Sequence, residues 1–243
     1  MPVPQWGWAL ITNSNNDHRI NTMNLICKVP DCGEEREGRS SYCTSHKTTM
    51  RRHGDALQAG VTITELKPYR KKIAARRAKN PHSPLWTILR ERWDVVVQSA
   101  RKTLDAFYKG KPSGSHEVKA ADAIVRTADN TEPDEVIDTA MAVFLLQEAK
   151  PRRFITDKAF RFQLARRVRG TTGVNAGTYY DPATAKVKRV YRDMAPRTLE
   201  AFAAPLAAAF GVAALRLAEL DRREVERAQS DKAKFEQALK ELK

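Results

Sequence analysis

Every cysteine of the chain lies in one short stretch, CKVPDCGEEREGRSSYCTSH, residues 27–46. The spacing is Cys27-x4-Cys32-x10-Cys43-x2-His46. Three thiols cannot all pair with one another, which argues against a disulfide framework; a redox site or simply reduced, buried cysteines remain as alternatives. Three thiolates and an imidazole are the ligand set of tetrahedral Zn²⁺. Four protein ligands leave no open coordination position, so the expected ion is structural, one per chain. His53 competes for the fourth place, but it lies near the end of the helix predicted to begin at Cys43, so His46 is preferred.

The elements that must aim these ligands are legible around them. Val29-Pro30-Asp31 is turn chemistry between the first two cysteines, and Gly33 offers a positive φ at the exit of the knuckle. EEREGRSSYC predicts a short hairpin around Gly38. CTSHKTTMRRHG predicts a helix that puts Cys43 and His46 on one face and stops at Gly54. Knuckle, hairpin and helix follow in the order of a treble-clef zinc finger. The run CKVPDC…YCTSHKTTMRRHGD resembles the short Cys3His modules of phage-encoded proteins, some of which accompany HNH-type nucleases and others DNA-binding domains. The resemblance covers about residues 25–55. It implies Cys27, Cys32, Cys43 and His46 as the ligands and a phage or mobile-element regulator or accessory factor as the role. It does not carry the nuclease: His18, His82 and His116 stand alone, outside any ββα pattern with further metal and base residues.

The chain has 243 residues, 42% hydrophobic and 30% charged, enough to bury a core. Its net charge of +14 predicts a polyanionic partner. The apolar uncharged stretch at residues 201–215 is shorter than a membrane span and contains Pro205. The N-terminus shows no basic region followed by an apolar run. An intracellular, cytoplasmic protein without membrane association is expected, associated with the nucleoid or, if phage-encoded, in the host cytoplasm. No Walker loop, dinucleotide glycine loop, HExxH or nucleophile elbow is present, so no catalytic residue is assigned.

Charge is unevenly distributed. Residues 66–80 carry seven basic residues and no acid, among them Arg70, Lys71, Lys72, Arg76 and Arg77. Unbalanced charges of one sign repel, so this segment reads as a phosphate-contacting arm rather than a solvated face. Residues 116–147 are acidic, seven acids against two bases; most of the acids fall where they complement helix N-termini. Residues 150–192 then hold twelve basic residues against Asp157 and Asp181.

The remaining elements follow from periodicity. Ser83-Pro84 opens an amphipathic helix with Trp86, Leu89, Trp93, Val96, Ala100, Leu104 and Phe107 on one side, ending at Gly110. Two helices are predicted at about 117–128 and after Pro133. ITDKAFRFQLARRVRG predicts a helix capped by Thr156 with Phe160, Leu164 and Val168 inward. A hairpin follows at about 178–192, turning at Asp181-Pro182. An alanine-rich helix at 197–210 is expected to end near Gly211. A second helix from Val212 carries Val225, Ala228, Phe235, Leu239 and Leu242 at coiled-coil spacing, interrupted by Lys232, and either packs back or forms a homodimer.

The fold class expected is mainly α, with a small zinc finger and one β-hairpin. The order of helix, arginine-rich helix and basic hairpin suggests a winged helix-turn-helix. The segments expected are a flexible extension at 1–24, a zinc-binding module at 25–58, and a basic arm with amphipathic helix at 59–112. A helical domain with a basic helix-hairpin follows at 116–211, then a charged C-terminal helix at 212–243. The function expected is zinc-stabilised nucleic-acid binding, DNA in preference to RNA. The candidate contacts are Lys47, Arg51, Arg52, Arg70, Lys71, Lys72, Arg76, Arg77, Arg152, Arg153, Arg161, Arg166, Arg167, Arg169, Lys186, Lys188, Arg189 and Arg192. The alternatives are an interaction factor for an acidic protein and an RNA- or ribosome-binding protein; the basic helix-hairpin has a further alternative, packing against the acidic section of the same chain.

Overall fold

A computed structural model describes residues 25–241. The extension expected at 1–24 lies outside the described residues. A knuckle and an isolated bridge between Ile26 and Glu35 lead into α1 (Thr44–His53). Six further helices follow: α2 (Ile63–Lys79), α3 (Pro84–Tyr108), α4 (Ser115–Asp129), α5 (Pro133–Ala149), α6 (Asp157–Arg169) and α7 (Pro196–Glu241). Between α6 and α7 runs one antiparallel hairpin, β1 (Ala176–Asp181) and β2 (Lys186–Tyr191), pairing Ala176 with Tyr191 and Asp181 with Lys186. The described residues are therefore mainly helical with a single hairpin.

Local chemistry explains most helix starts. Thr62 opens α2 with a reciprocal capping box to Glu65, and the Thr156 hydroxyl accepts from the Ala159 amide at the start of α6. Ser83 sits at the N-cap of α3 without a side-chain hydrogen bond, and Pro84 supplies the preset φ instead. Asp181 turns the hairpin: its carboxylate accepts from the Ala183 amide and the Thr184 hydroxyl.

α5 is the centre of the bundle. Its apolar residues run without a polar stripe, and Val136 through Leu146 are buried except Asp138, as befits a helix surrounded on all sides. α2, α6 and α7 pack against it, and α3 pairs with α4. One apolar cluster extends from Val61 to Ala218, with Trp93, Phe162, Phe202 and Phe210 fully enclosed. A second, small cluster of Cys27, Val29, Cys43 and Ala56 belongs to the N-terminal module.

Two local expectations are corrected. The helix predicted to end near Gly211 does not end: α7 is continuous from Pro196 to Glu241. Leu206, Phe210, Ala214 and Leu217 form one buried stripe across the glycine, and that packing outweighs the roughly 1 kcal/mol cost of a helical glycine. In the knuckle the positive φ falls on Asp31 (61°), not Gly33. By length and composition α7 is also apolar enough to cross a membrane, but 44% of its apolar window is buried within the protein, as part of the core.

Candidate metal centre and the basic face beside it

The knuckle is built by backbone hydrogen bonds. The Cys27 amide donates to the Glu34 carbonyl (2.9 Å), Cys32 to Val29 (3.2 Å) and Lys28 to Ser41 (3.0 Å). Gly38, at φ 55°, turns the chain back. Cys43 then stands at the N-cap of α1, one turn before His46. These constraints bring Cys27, Cys32, Cys43 and His46 together, with all four ligand atoms within 4.8 Å of one another.

The separations suit one ion. Cys43 Sγ lies 3.3 Å and Cys27 Sγ 3.5 Å from His46 Nδ1, and Cys32 Sγ lies 4.0 Å from Cys43 Sγ. A tetrahedron with zinc–sulfur bonds of about 2.3 Å and a zinc–nitrogen bond of about 2.0 Å has edges of roughly 3.5 to 3.8 Å. The cluster fits a small zinc site, and its four ligands close it. The electrostatics favour one ready thiolate. Burial alone would raise the Cys27 thiol, but the backbone amides of Cys43 and Val29, with the side chains of His46 and Cys32, bring it down to about 6. Cys32 moves up: the Glu34 amide favours its thiolate, but burial and the neighbouring sulfurs of Cys27 and Cys43 outweigh that.

His53, the rival ligand, is used elsewhere. Gln163 accepts a hydrogen bond from the Val61 amide through Oε1 (2.9 Å), so its amide nitrogen faces His53 and donates to Nδ1 (2.9 Å). The ring is thereby held neutral, with its proton on Nε2. Burial pushes His53 down to about 4, helped by the positive charges of Arg166, Arg52 and Arg167 and opposed by Asp193. Gly54 completes the docking of α1 on α6. Its φ is 86°, and a Cβ there would lie 2.9 Å from the Lys158 carbonyl oxygen.

The basic residues divide into two groups. Those of α2 face acids of the same chain. Arg77 pairs with Asp134 and Asp138 and stacks over Trp86 at 4.8 Å. Arg76 reaches Asp221 (2.6 Å) and Glu224 (2.9 Å), Lys72 reaches Asp221 (3.9 Å) and Arg70 reaches Glu135 (3.6 Å). The repulsion foreseen for residues 66–80 is thus relieved by α5 and α7, and only Lys67, Lys71 and Lys79 of that run carry no ion pair among the described residues. Arg153 is likewise structural: it holds Glu65 by two bonds (2.8 and 3.1 Å) and the carbonyls of Ala59 and Gly60. That grip keeps Glu65 ionised, down to about 2. Arg169 is buried and donates to the Arg192 carbonyl (3.1 Å).

The second group gathers where α1, α6 and the base of the hairpin meet. Arg52 of α1 and Arg166 of α6 share one carboxylate, Asp193, at 2.7 and 3.1 Å. Burial favours the neutral acid, but the two guanidinium bonds win and hold Asp193 below its usual range. Arg167 sits nearby, close enough to act on His53. Arg51, Arg152, Arg161, Lys186 and Arg192 are exposed and carry no ion pair among the described residues; Lys71 shares that state on α2. Lys47 pairs with Glu37 at the surface (2.9 Å), and Lys188 pairs with Asp181 within the hairpin. Arg189 lies in β2 opposite Thr178. Tyr179, Tyr180, Val187 and Val190 of the hairpin are all exposed.

The order of elements around α6 is the one expected of a winged helix-turn-helix, but its burial is not. A groove-reading helix must present one long face. α6 is packed by α1, α4, α5 and α7, and only Asp157 and Arg161 along it are exposed. Sequence reasoning missed Gln163 and Asp193. Gln163 leaves a signal, a polar residue three positions after Phe160 on an apolar stripe; Asp193, a lone acid after the hairpin, leaves none. Comparison of the chain with protein-family models, curated proteins and solved structures returns no match.

Proposed function

We propose that the protein binds nucleic acid, DNA in preference to RNA, through the face formed by α1, α6 and the hairpin, and that a structural Zn²⁺ in the Cys3His site holds the α1 part of that face in shape. The zinc module is read as treble-clef-like, of the kind carried by phage-encoded DNA-binding and HNH-associated proteins, and the protein as an intracellular regulator or accessory factor. One observation carries the reading: two arginines, Arg52 and Arg166, converge on a single carboxylate beside an exposed hairpin bearing Lys186 and Lys188. One acid cannot neutralise the two guanidinium groups that share it, and phosphates supply what is missing. Arg51, Arg161 and Arg192 extend the same face. Arg70, Lys72, Arg76, Arg77, Arg153 and Arg169 are left out of it, because their charges are met within the chain. Lys47, Lys71 and Arg152 are secondary candidates.

Titration with a duplex at two salt concentrations tests the reading. Affinity should fall steeply with salt, and Arg51→Ala with Arg161→Ala should shallow that slope by about one unit per lost phosphate contact. Cys43→Ser should release the metal and weaken binding with it. If the duplex does not bind at low salt, the nucleic-acid reading fails. The exposed tyrosines and valines of the hairpin favour a second reading, an acidic protein partner, for which binding would survive nuclease treatment of a native pull-down.

A further inference from the structure

The last third of α7 is where the chain leaves its own core. Burial along α7 stops at Ala218, and every described side chain from Arg222 to Gln237 is exposed. This projecting stem, residues 222–241, is about 30 Å long at the α-helical rise. No tertiary packing among the described residues supports it there, and packing is where most helical stability in proteins comes from. It also carries Val225 at 54% and Phe235 at 64% exposure.

The stem has a regular seam. Asp221, Val225, Ala228, Lys232, Phe235 and Leu239 follow one another at alternating steps of four and three residues, the heptad core spacing. The seam continues the stripe that Ala214 and Ala218 bury in the bundle. Nothing in the described chain covers it beyond the end of α2.

We propose that the seam is covered by a second copy of the chain, paired antiparallel, with the two stems crossing near Ser230. In that register three layers are complementary. Val225 meets the partner's Phe235, small Ala228 meets the aliphatic stem of the partner's Lys232, and Arg222 flanks the seam opposite the partner's Glu236. Each contact occurs twice by symmetry. A parallel pair would instead stack Lys232 on Lys232 inside the seam. The bundle offers a second fit. An apolar crook of about 260 Å³, walled by Tyr69, Leu145, Ala149, Ala218 and Val225, opens beside Val225, where the partner's Phe235 arrives. Among the described residues Glu236 has only a 3.8 Å, highly exposed pairing with Lys232 and Arg222 has no ion pair, so both charges are available to the partner.

Sedimentation equilibrium of the full-length, metal-loaded protein tests this. The wild type should be a dimer at micromolar concentrations. Phe235→Glu should be monomeric up to about a hundredfold higher concentration, with circular dichroism and metal content unchanged to show that the bundle is folded. Arg222→Glu and Glu236→Arg should each weaken the dimer by about tenfold, because each creates a like-charge pair. The double variant restores opposite charges and should recover most of the affinity. A wild type that stays monomeric at 100 µM overturns the proposal (~ten times the expected requirement). So does a dimer whose double variant is no tighter than the single ones, since only the antiparallel register joins these two residues.

Discussion

At the scale of residues, the site rests on side chains whose partners leave them one state. His53 is the clearest. Gln163 can satisfy the Val61 amide only with its oxygen, so it offers His53 a donor, and a protonated ring could not accept it. The folded state therefore disfavours the imidazolium, with a pKa of about 4 against the ordinary 6.5. The unfolded chain binds the proton first as pH falls. The stability due to this contact is complete above about 6.5 and is lost as pH falls through 4. An NMR titration of the His53 ring should give a midpoint near 4; a midpoint above 6 would mean that the ring is not held by Gln163. The candidate metal ligands belong to the same scale. Their types and spacing announced the site in the sequence, and the choice of His46 over His53 came from position along one helix.

Among the elements, α2 and α7 are where expectation and structure part. The seven positive charges of residues 66–80 suggested an arm reaching outward. Ile73 and Leu66 are buried against the bundle, and the acids of α5 lie where α2 lands. Asp134, held by Arg90 and Arg77, is brought down to about 2. Arg77→Ala should leave Asp138 partly buried without its partner and cost about 2–3 kcal/mol in urea unfolding. Lys71→Ala on the exposed side should stay within about 0.5 kcal/mol, and equal losses would show that α2 does not dock as described. Gly211 provides a second measurement. It lies inside α7, and a Cβ there would meet the Phe144 ring at 3.5 Å, ordinary contact. Gly211→Ala should therefore stabilise the protein by about 0.5–1 kcal/mol. Destabilisation would place a helix end at Gly211 after all.

For the whole molecule, the two apolar clusters are separate, and this predicts how the protein comes apart. Cys27, Val29, Cys43 and Ala56 form a cluster too small to fold by itself. The bundle around α5 has a larger apolar cluster of its own. Chelation should abolish hydrogen-exchange protection at about residues 25–53, while α3, α4, α5 and α7 keep theirs. Simultaneous loss of protection throughout the chain would show that the module and the bundle are one cooperative unit. Acid should act on both parts. Glu65 and Asp134 are ionised partners of Arg153, Arg90 and Arg77 with pKa values of about 2. The stability they contribute is present above the ordinary carboxylate range and is lost as pH falls from about 4.5 through 2.

The sequence by itself determined what depends on neighbours along the chain. The ligand quartet, the caps at Thr62 and Thr156, the turn at Asp181 and the apolar stripes of α3 and α6 are short-range facts, written in spacing and residue type. What only the tertiary structure decided was which charges meet. Arg77 and Asp138 are 61 residues apart, and Arg52 and Asp193 are 141 apart. No periodicity links such pairs, because they are brought together by the burial of other residues. The same holds for α7: a glycine that reads locally as a helix end is overruled by a stripe of Leu, Phe and Ala whose burial requires the helix to continue.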